Sequence, residues 1–259
     1  MARAGAGSGA FVTFEGADGT GKSTHIGFLA ERLRERGREV LRLREPGGTA
    51  VGEALRALVL DPANAGLSDR AELLVYEAAR AQLVDEVIAP ALERGAVVLC
   101  DRFADSTVAY QAFGRGLPRA FVDAANGFAT GQLVPDRTVL MVCGSPEAGL
   151  SRAAQAGEAD RLEQAGEGFH RRVAEGFAAL AASEEGRVRV VDSSGSRVAT
   201  AHAVAGAVAD LFPELVEAMA DEAFFAPLAA ADEKAAQGAP SARPEGALGG
   251  AAEGGCAHG

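Results

Sequence analysis

The segment 11–24 constrains the fold of this chain more than any other stretch of its sequence. It reads Phe-Val-Thr-Phe-Glu-Gly-Ala-Asp-Gly-Thr-Gly-Lys-Ser-Thr, so a short apolar run is followed by the pattern G-x-x-x-x-G-K-[ST]. Apolar residues then recur at helical spacing at Ile26, Leu29 and Leu33. A strand, a glycine-rich loop and a helix in this order form the structural context of a phosphate-binding P-loop.

The physical chemistry of such a loop predicts what its residues do. The glycines let successive backbone N–H groups turn toward one anion, and the following helix adds the positive end of its dipole. We expect Lys22 to reach the β- and γ-phosphates and the Ser23 hydroxyl to bind Mg²⁺. The chain has twenty-three arginines but only two lysines, which favours a specific need for the compact Lys22 ammonium. The predicted ATP-binding residues are Gly16, Ala17, Asp18, Gly19, Thr20, Gly21, Lys22, Ser23 and Thr24.

Composition excludes several classes of protein. No apolar run approaches the length of a membrane span, and residues 1–10 lack the apolar stretch of a signal peptide. The three cysteines form no Cys-x-x-Cys pair, so we expect neither a disulfide framework nor a zinc site, and a cytoplasmic location. The net charge of −11 leaves no basic stripe, so we expect neither polymeric nucleic acid nor a membrane as a partner.

The order of apolar runs and helical patterns predicts an α/β fold. Strand candidates alternate with amphipathic stretches, which is typical of βαβ units and a parallel sheet. We therefore predict a P-loop NTPase-type three-layer αβα fold with five parallel strands, and ligands beyond the carboxyl ends of those strands. The predicted strands are 11–15, 40–43, 97–100, 138–142 and 188–191. The predicted helices are 22–37, 49–60, 68–94, 104–130 with a break near 114–118, 146–155, 167–182 and 198–211.

The 259 residues suit one large domain with a tail. We expect a flexible N-terminus over 1–10 and a folded domain over 11–212. The segment 213–259 is rich in Ala, Gly and Pro and carries eight acidic against two basic residues. A helix over 214–230 is compatible with its pattern, and from about 231 onward we expect disorder.

Two further stretches follow predicted strands and place charged residues beside the P-loop. Arg44 begins the sequence Arg-Glu-Pro-Gly-Gly-Thr, and Asp101-Arg102 ends the third strand. Two arginines at this edge of the sheet can clamp a second phosphate, and Asp101 can hold Mg²⁺ through water. On the long helix, Tyr76 and Arg80 share a face and suit a planar base. The structural alternative places Tyr76 in the core and pairs Arg80 with Glu77.

With these motifs in place, residues 11–212 resemble the thymidylate kinase family. The matching segments are Glu15–Thr24, Arg44–Thr49, Tyr76–Arg80, Asp101-Arg102 with Ser106-Thr107 and Ala109-Tyr110-Gln111, Gly114–Gly116, Pro135–Asp136 and Asp160–Glu163. The resemblance implies transfer of the ATP γ-phosphoryl group to dTMP, giving dTDP and ADP for dTTP synthesis. It also implies Mg²⁺ as cofactor, a short helical lid at about 149–163, and a homodimer packed through the long helices.

The resemblance further implies individual roles. Asp18 lies near the acceptor 3′-hydroxyl and phosphate, Arg44 and Arg102 hold the dTMP phosphate, and Tyr76 stacks on thymine. Arg80 bonds its exocyclic oxygen, Thr107 and Gln111 read its edge, and Tyr110 favours the deoxy sugar. Lid arginines, here Arg152 and Arg161, approach the transferring group. The implied catalytic set is Lys22, Arg102, Asp18, Arg152 and Arg161, and the metal set is Ser23 and Asp101.

Two other functions stay open at this point. One is another P-loop nucleotide or deoxynucleoside kinase, which would share the loop but take a different acceptor. The other is a catalytically weak nucleotide-binding module, because Ala154 and Ala156 stand where some lids of this type carry arginine. A GTPase is disfavoured, since the two lysines leave no Asn-Lys-x-Asp motif.

Overall fold

A parallel sheet of five strands forms the centre of the computed structural model, which describes residues 9–144 and 160–238. All neighbouring strands pair in parallel, and the strand order is β2-β3-β1-β4-β5. This confirms the predicted fold class. The strands are β1 (Ala10–Glu15), β2 (Val40–Arg44), β3 (Val97–Asp101), β4 (Arg137–Val142) and β5 (Val188–Asp192).

Apolar layers cover both faces of the sheet. In β1, Val12 and Phe14 belong to one buried cluster, whereas Phe11 belongs to another. In β3, Leu99 and Val98 divide in the same way. Because successive side chains of a strand point to opposite faces, this division places a helical layer on each side of the sheet. The continuous apolar runs of the sequence therefore reflect strands that are buried twice.

The helices lie close to their predicted positions. Thr49, Ser68 and Ser196 each accept a hydrogen bond from a first-turn N–H group and so cap the helices that follow them. The helices are α1 (Lys22–Arg34), α2 (Ala50–Leu60), α3 (Asp69–Leu83), α4 (Ala89–Glu93), α5 (Ala104–Thr107), α6 (Arg119–Ala129), α7 (Glu167–Ser183), α8 (Arg197–Ala207), α9 (Glu214–Ala218) and α10 (Ala226–Gly238).

Two predicted helices are not continuous α-helices. The segment predicted as one helix over 68–94 contains π-helical turns at Val84–Ile88 between α3 and α4. A second π-helical segment, Val108–Gly114, follows α5. It presents Tyr110 and Gln111, which is in keeping with the frequent use of π-helical turns at functional sites. The helix predicted over 146–155 and most of the predicted lid fall outside the described residues.

The structure has helical segments in the range 214–230, where the pattern is compatible with a helix, and continues them over 231–238, where we expected disorder. Residues 214–238 contain α9, a short 3₁₀ turn at Glu222–Phe225 and α10. Leu215, Phe224 and Phe225 are buried in the cluster that also covers α1. Their spacing makes a poor helical pattern, but packing against an existing apolar face stabilises helices of weak intrinsic pattern. Residues 1–8 and 239–259 lie outside the described part of the chain.

Across the described ranges, no helix combines the length and the apolar character needed to cross a membrane.

Candidate active site

The P-loop has the backbone geometry that the glycines predict. Gly16 has a φ of +124°, and a Cβ atom there would collide with the carbonyl oxygen of Met141 on β4. Gly21, with a φ of +86°, lies at the N-terminus of α1. The Lys22 ammonium is buried and donates hydrogen bonds to the carbonyls of Gly16 at 3.1 Å and Ala17 at 2.8 Å. Burial, together with the nearby Arg102 charge, lowers the pKa of Lys22 to about 8.

Ser23 and Asp101 meet at the end of the loop, as expected for a Mg²⁺ site. The Ser23 hydroxyl donates to Asp101 Oδ2 at 2.9 Å. A hydroxyl and a carboxylate are the hard oxygen ligands that Mg²⁺ takes beside substrate phosphates. Within residues 9–144 and 160–238 no three His, Cys, Asp or Glu side chains cluster as a metal site. A cation held by two protein oxygens and by phosphates is compatible with that finding.

Arg102 faces the P-loop from the end of β3. Its guanidinium donates to Asp18 Oδ1 at 2.6 Å and to the Gly16 carbonyl at 3.0 Å, and lies 5.2 Å from the Tyr110 ring centroid. Burial alone would raise the pKa of Asp18, but the charges of Arg102 and Lys22 lower this pKa to about 2. Arg102 has a φ of +71°, an uncommon conformation for a residue with a side chain and one that concentrates at functional sites.

The turn that presents Arg102 is anchored by Glu15, a buried carboxyl at the end of β1. Glu15 accepts from the Phe103 N–H at 2.7 Å and from the Ser106 hydroxyl at 2.5 Å. Burial and the charge of Asp105 raise the pKa of Glu15 to about 8. The strained Arg102 backbone therefore has two fixed anchors on its C-terminal side.

One cavity of about 500 Å³ joins the P-loop to the predicted acceptor residues. Lys22, Arg44 and Arg102 all line it. The structure thus brings the two predicted arginines and the P-loop lysine to one space, as a shared substrate requires. The predicted site residues in its wall are Asp18, Gly19, Gly21, Lys22, Ser23, Thr24, Arg44, Tyr76, Arg80, Asp101, Arg102, Thr107, Tyr110 and Gln111. Gly16, Ala17 and Thr20 form the turn of the loop behind it.

Arg80 lies in the wall of the cavity but is also the centre of a buried ion-pair network. It pairs with Glu45 at 2.7 Å and with Glu77 at 2.8 Å. The ion pair with Glu77, which was the structural alternative for Arg80, is therefore present in the structure. It also donates to the Thr107 hydroxyl at 2.8 Å. Burial raises the pKa of Glu45 to about 7, against the opposing charge of Arg80. Loss of Arg80 would leave two carboxyl groups buried without their cation.

A second network fixes the side-chain amide of Gln111. Glu72 accepts from Gln111 Nε2 at 2.8 Å and pairs with Arg115 at 2.9 Å. Burial alone would raise the pKa of Glu72, but the hydrogen bond from Arg115 holds this pKa below its usual value. With its N–H₂ group held by Glu72, Gln111 presents its carbonyl oxygen as the acceptor that remains.

Arg161, predicted as a catalytic lid residue, does not line the cavity in the structure. Its side chain is buried, donates to the Val59 carbonyl at 2.8 Å and pairs with Glu72 at 2.6 Å. Its neighbours Asp160 and Leu162 line the cavity instead. The sequence could not distinguish these directions, because consecutive residues in a turn point to different sides. Arg152 lies outside the described residues.

Arg56 and Leu60 on α2 also line this cavity, although neither was predicted from the sequence. Arg56 donates to the Pro46 carbonyl at 3.0 Å, and Arg44 donates to the same oxygen at 2.9 Å. Burial and the charge of Arg44 lower the pKa of Arg56. The sequence feature that could have indicated Arg56 is its position seven residues after the Thr49 helix cap, two turns along the same helix face.

The fold and the site together define a P-loop kinase with a second anion-binding group beside the loop. Comparison with known proteins narrows the class. Residues 14–204 match the thymidylate kinase family. The thymidylate kinase of Geobacter sulfurreducens is 48% identical over 212 residues, covering 79% of this chain and 99% of that protein. The thymidylate kinase of Solidesulfovibrio magneticus is 50% identical over 213 residues, covering 78% and 99%.

A solved structure agrees with these relatives. The crystal structure of thymidylate kinase from Ehrlichia chaffeensis has 32% sequence identity and a TM-score of 0.60, and the match covers 73% of this chain and 90% of that one. This chain belongs to the thymidylate kinase family.

Proposed function

We propose that this chain transfers the γ-phosphoryl group of ATP to the 5′-phosphate of dTMP and releases dTDP and ADP. The observation that carries the proposal is that Lys22, Arg44 and Arg102 line one and the same cavity. Family membership supports dTMP as the acceptor. The two anions would be held end to end, with the transferred group between them.

The reaction needs little proton transfer. The attacking atom is an oxygen of the acceptor phosphate, which is largely ionised at pH 7 because its second pKa is about 6. The P-loop N–H groups and Lys22 hold the donor phosphates, while Arg44 and Arg102 bring the acceptor phosphate into line. Bound Mg²⁺, for which Ser23 and Asp101 fit, supplies charge neutralisation on the donor phosphates. Arg152 stays our candidate for the lid arginine.

The base end of the cavity suits thymine. The Gln111 carbonyl oxygen can accept the N3–H group of the base, and Arg80 can donate to an exocyclic oxygen. The Tyr76 ring supplies an apolar face for stacking. Tyr110 lines the same cavity with its ring beside the Arg102 guanidinium, and we assign it the role of crowding a ribose 2′-hydroxyl. We assign Asp18, which accepts from Arg102, to the sugar 3′-hydroxyl.

An acceptor screen tests the proposal. ADP release from ATP and Mg²⁺ should depend on dTMP and proceed more slowly with dUMP, thymidine, dCMP and dGMP. Turnover of thymidine without turnover of dTMP would favour the deoxynucleoside kinase alternative. ATP binding without turnover on any acceptor would favour the nucleotide-binding module.

We also propose that the protein is a homodimer, packed through α3 and α6. These helices pack on each other, and Leu74, Phe121 and Phe128 on them are 58%, 53% and 87% exposed. Large apolar side chains at such exposure often mark an interface with a partner. Light scattering should give twice the chain mass for the wild type and one chain mass for Phe128→Asp. Val216→Asp, at an exposed position on α9, is the control that keeps the dimer.

A further inference from the structure

The segment 214–238 packs on α1, the helix that follows the P-loop, but lies beyond the part of the chain that matches the family. The family match ends at residue 204. Phe224 and Phe225 contact the Phe28 ring on α1, with centroids 5.4 Å and 5.7 Å away. Phe225 also stacks on the His202 ring of α8 at 3.7 Å. The segment therefore ties α8 to the helix that carries the P-loop.

A chain of polar contacts runs from this segment to the P-loop itself. Asp232 on α10 accepts from the Arg197 backbone N–H at 3.0 Å and from its guanidinium at 2.8 Å. The Arg197 carbonyl faces His25 Nε2 at 3.3 Å, and His25 Nδ1 lies 2.9 Å from the carbonyl of Gly21. The His25 ring thus lies between the first turn of α8 and the last residue of the loop before α1, and a neutral imidazole donates to one of these two carbonyls.

These contacts lie on the opposite side of the P-loop from the acceptor cavity. In the sheet, β3 and β2 flank β1 on one side and supply Arg102 and Arg44, whereas β4 and β5 flank it on the other. Arg197 begins α8, directly after β5, and none of Asp232, Arg197 and His25 lines the described cavity. A substitution that breaks these contacts should therefore act on Gly21 and weaken the binding of the donor phosphates more than the binding of the acceptor.

We propose that residues 214–238 form a brace that holds the P-loop in its phosphate-binding geometry, with Asp232 as a positioning residue. The inference rests on the proposed function only in taking ATP as the donor. A carboxylate on the first-turn N–H group of α8 is a charge-assisted cap, and its loss frees the turn that supports His25. The predicted consequence is weaker ATP binding with unchanged recognition of dTMP.

The experiment compares Asp232→Asn and Asp232→Ala with Glu233→Gln in the full-length chain. Glu233 is the exposed neighbour on the same helix, so its substitution removes the same charge without touching Arg197. We expect KM for ATP to rise about threefold to tenfold in the two Asp232 variants, with kcat and KM for dTMP within about twofold of wild type. Asp232→Glu should recover part of the ATP affinity.

Calorimetric titration with an unreactive ATP analogue gives the same comparison without turnover. It keeps the brace testable even if the wild type fails to phosphorylate dTMP, which would contradict the proposed function alone. Equal KM for ATP in Asp232→Ala and Glu233→Gln would overturn the brace. So would a parallel rise in both KM values with a lower melting temperature, because that pattern indicates general destabilisation. Arg197→Gln, which removes the guanidinium contact, should show the same selective loss in smaller measure.

Discussion

The donor half and the acceptor half of the site differ in how far apart along the chain their parts lie. The donor half consists of residues 16–24, which supply backbone N–H groups and the buried Lys22 ammonium. The acceptor half takes side chains from β2, α3, the end of β3 and the π-helical segment after α5. A loop determined by neighbouring residues can be recognised from spacing alone, whereas an assembly of distant side chains depends on the whole sheet.

The two halves also differ in what holds their charges in place. Lys22 is held by loop carbonyls that are present in any P-loop conformation of this kind. Arg80 and Arg102 are each held by carboxylates, from Glu45, Glu77 and Asp18. Buried ion pairs gain little over apolar packing but are costly to break on one side. Substitutions in the acceptor half should therefore affect stability and chemistry together, unless the residue touches only substrate.

Arg102→Ala should give the largest loss of activity. We expect kcat/KM for dTMP to fall by at least ~10³, because the guanidinium that holds the acceptor phosphate is lost. Calorimetric affinity for an ATP analogue should stay within about threefold of wild type. Arg119→Ala, which removes an exposed arginine paired with the exposed Asp123, is the control and should keep full activity. A loss of ATP affinity as large as the loss of turnover would contradict the assigned role.

Arg80→Met should give the largest loss of stability. It leaves Glu45 and Glu77 buried without their cation, so we expect the free energy of unfolding to fall by about 3–5 kcal/mol. Urea unfolding followed by circular dichroism measures this. Arg94→Met breaks an exposed pair with Glu39 and should cost about 0–1 kcal/mol. Similar losses in the two variants would remove the distinction between buried and surface pairs in this protein.

Arg161→Met tests whether Arg161 has a structural or a catalytic role. The structure places the guanidinium on Glu72 and the Val59 carbonyl, so we expect a stability loss of about 1–3 kcal/mol and a change in kcat of less than about tenfold. Steady-state kinetics beside a urea titration separate the two effects. A fall in kcat of ~10³, close to that of Arg102→Ala, would restore Arg161 to the catalytic set.

The pH dependence of ATP binding should be the mildest effect. The pKa of Lys22 is lowered to about 8, so the free protein loses this charge as the pH rises through 8. ATP phosphates favour the charged ammonium, and affinity should therefore fall by up to about tenfold between pH 7 and 9. Titration calorimetry with an unreactive analogue measures the slope. Lys22→Met should bind weakly at both pH values with a flatter profile, and an equally steep profile there would assign the titration to another group.

Much of the acceptor half could be predicted because its residues come from short motifs at strand ends. Arg44, Tyr76, Thr107 and Gln111 all line the expected cavity. The direction of Arg161 could not be predicted, since it depends on Glu72, which lies 89 positions earlier in the chain. The packing of residues 214–238 was also not predicted. Its apolar residues follow no clear helical period, and their positions suit the apolar surfaces of α1 and α8 instead.

The sequence by itself determined the P-loop, the parallel α/β sheet and the edge of that sheet where substrates meet, since spacing and apolar runs act over a few residues. The tertiary structure decided which buried carboxylate each arginine contacts, and that residues 214–238 pack on α1. Those outcomes depend on which distant groups share a low-dielectric interior, where every buried charge needs a partner.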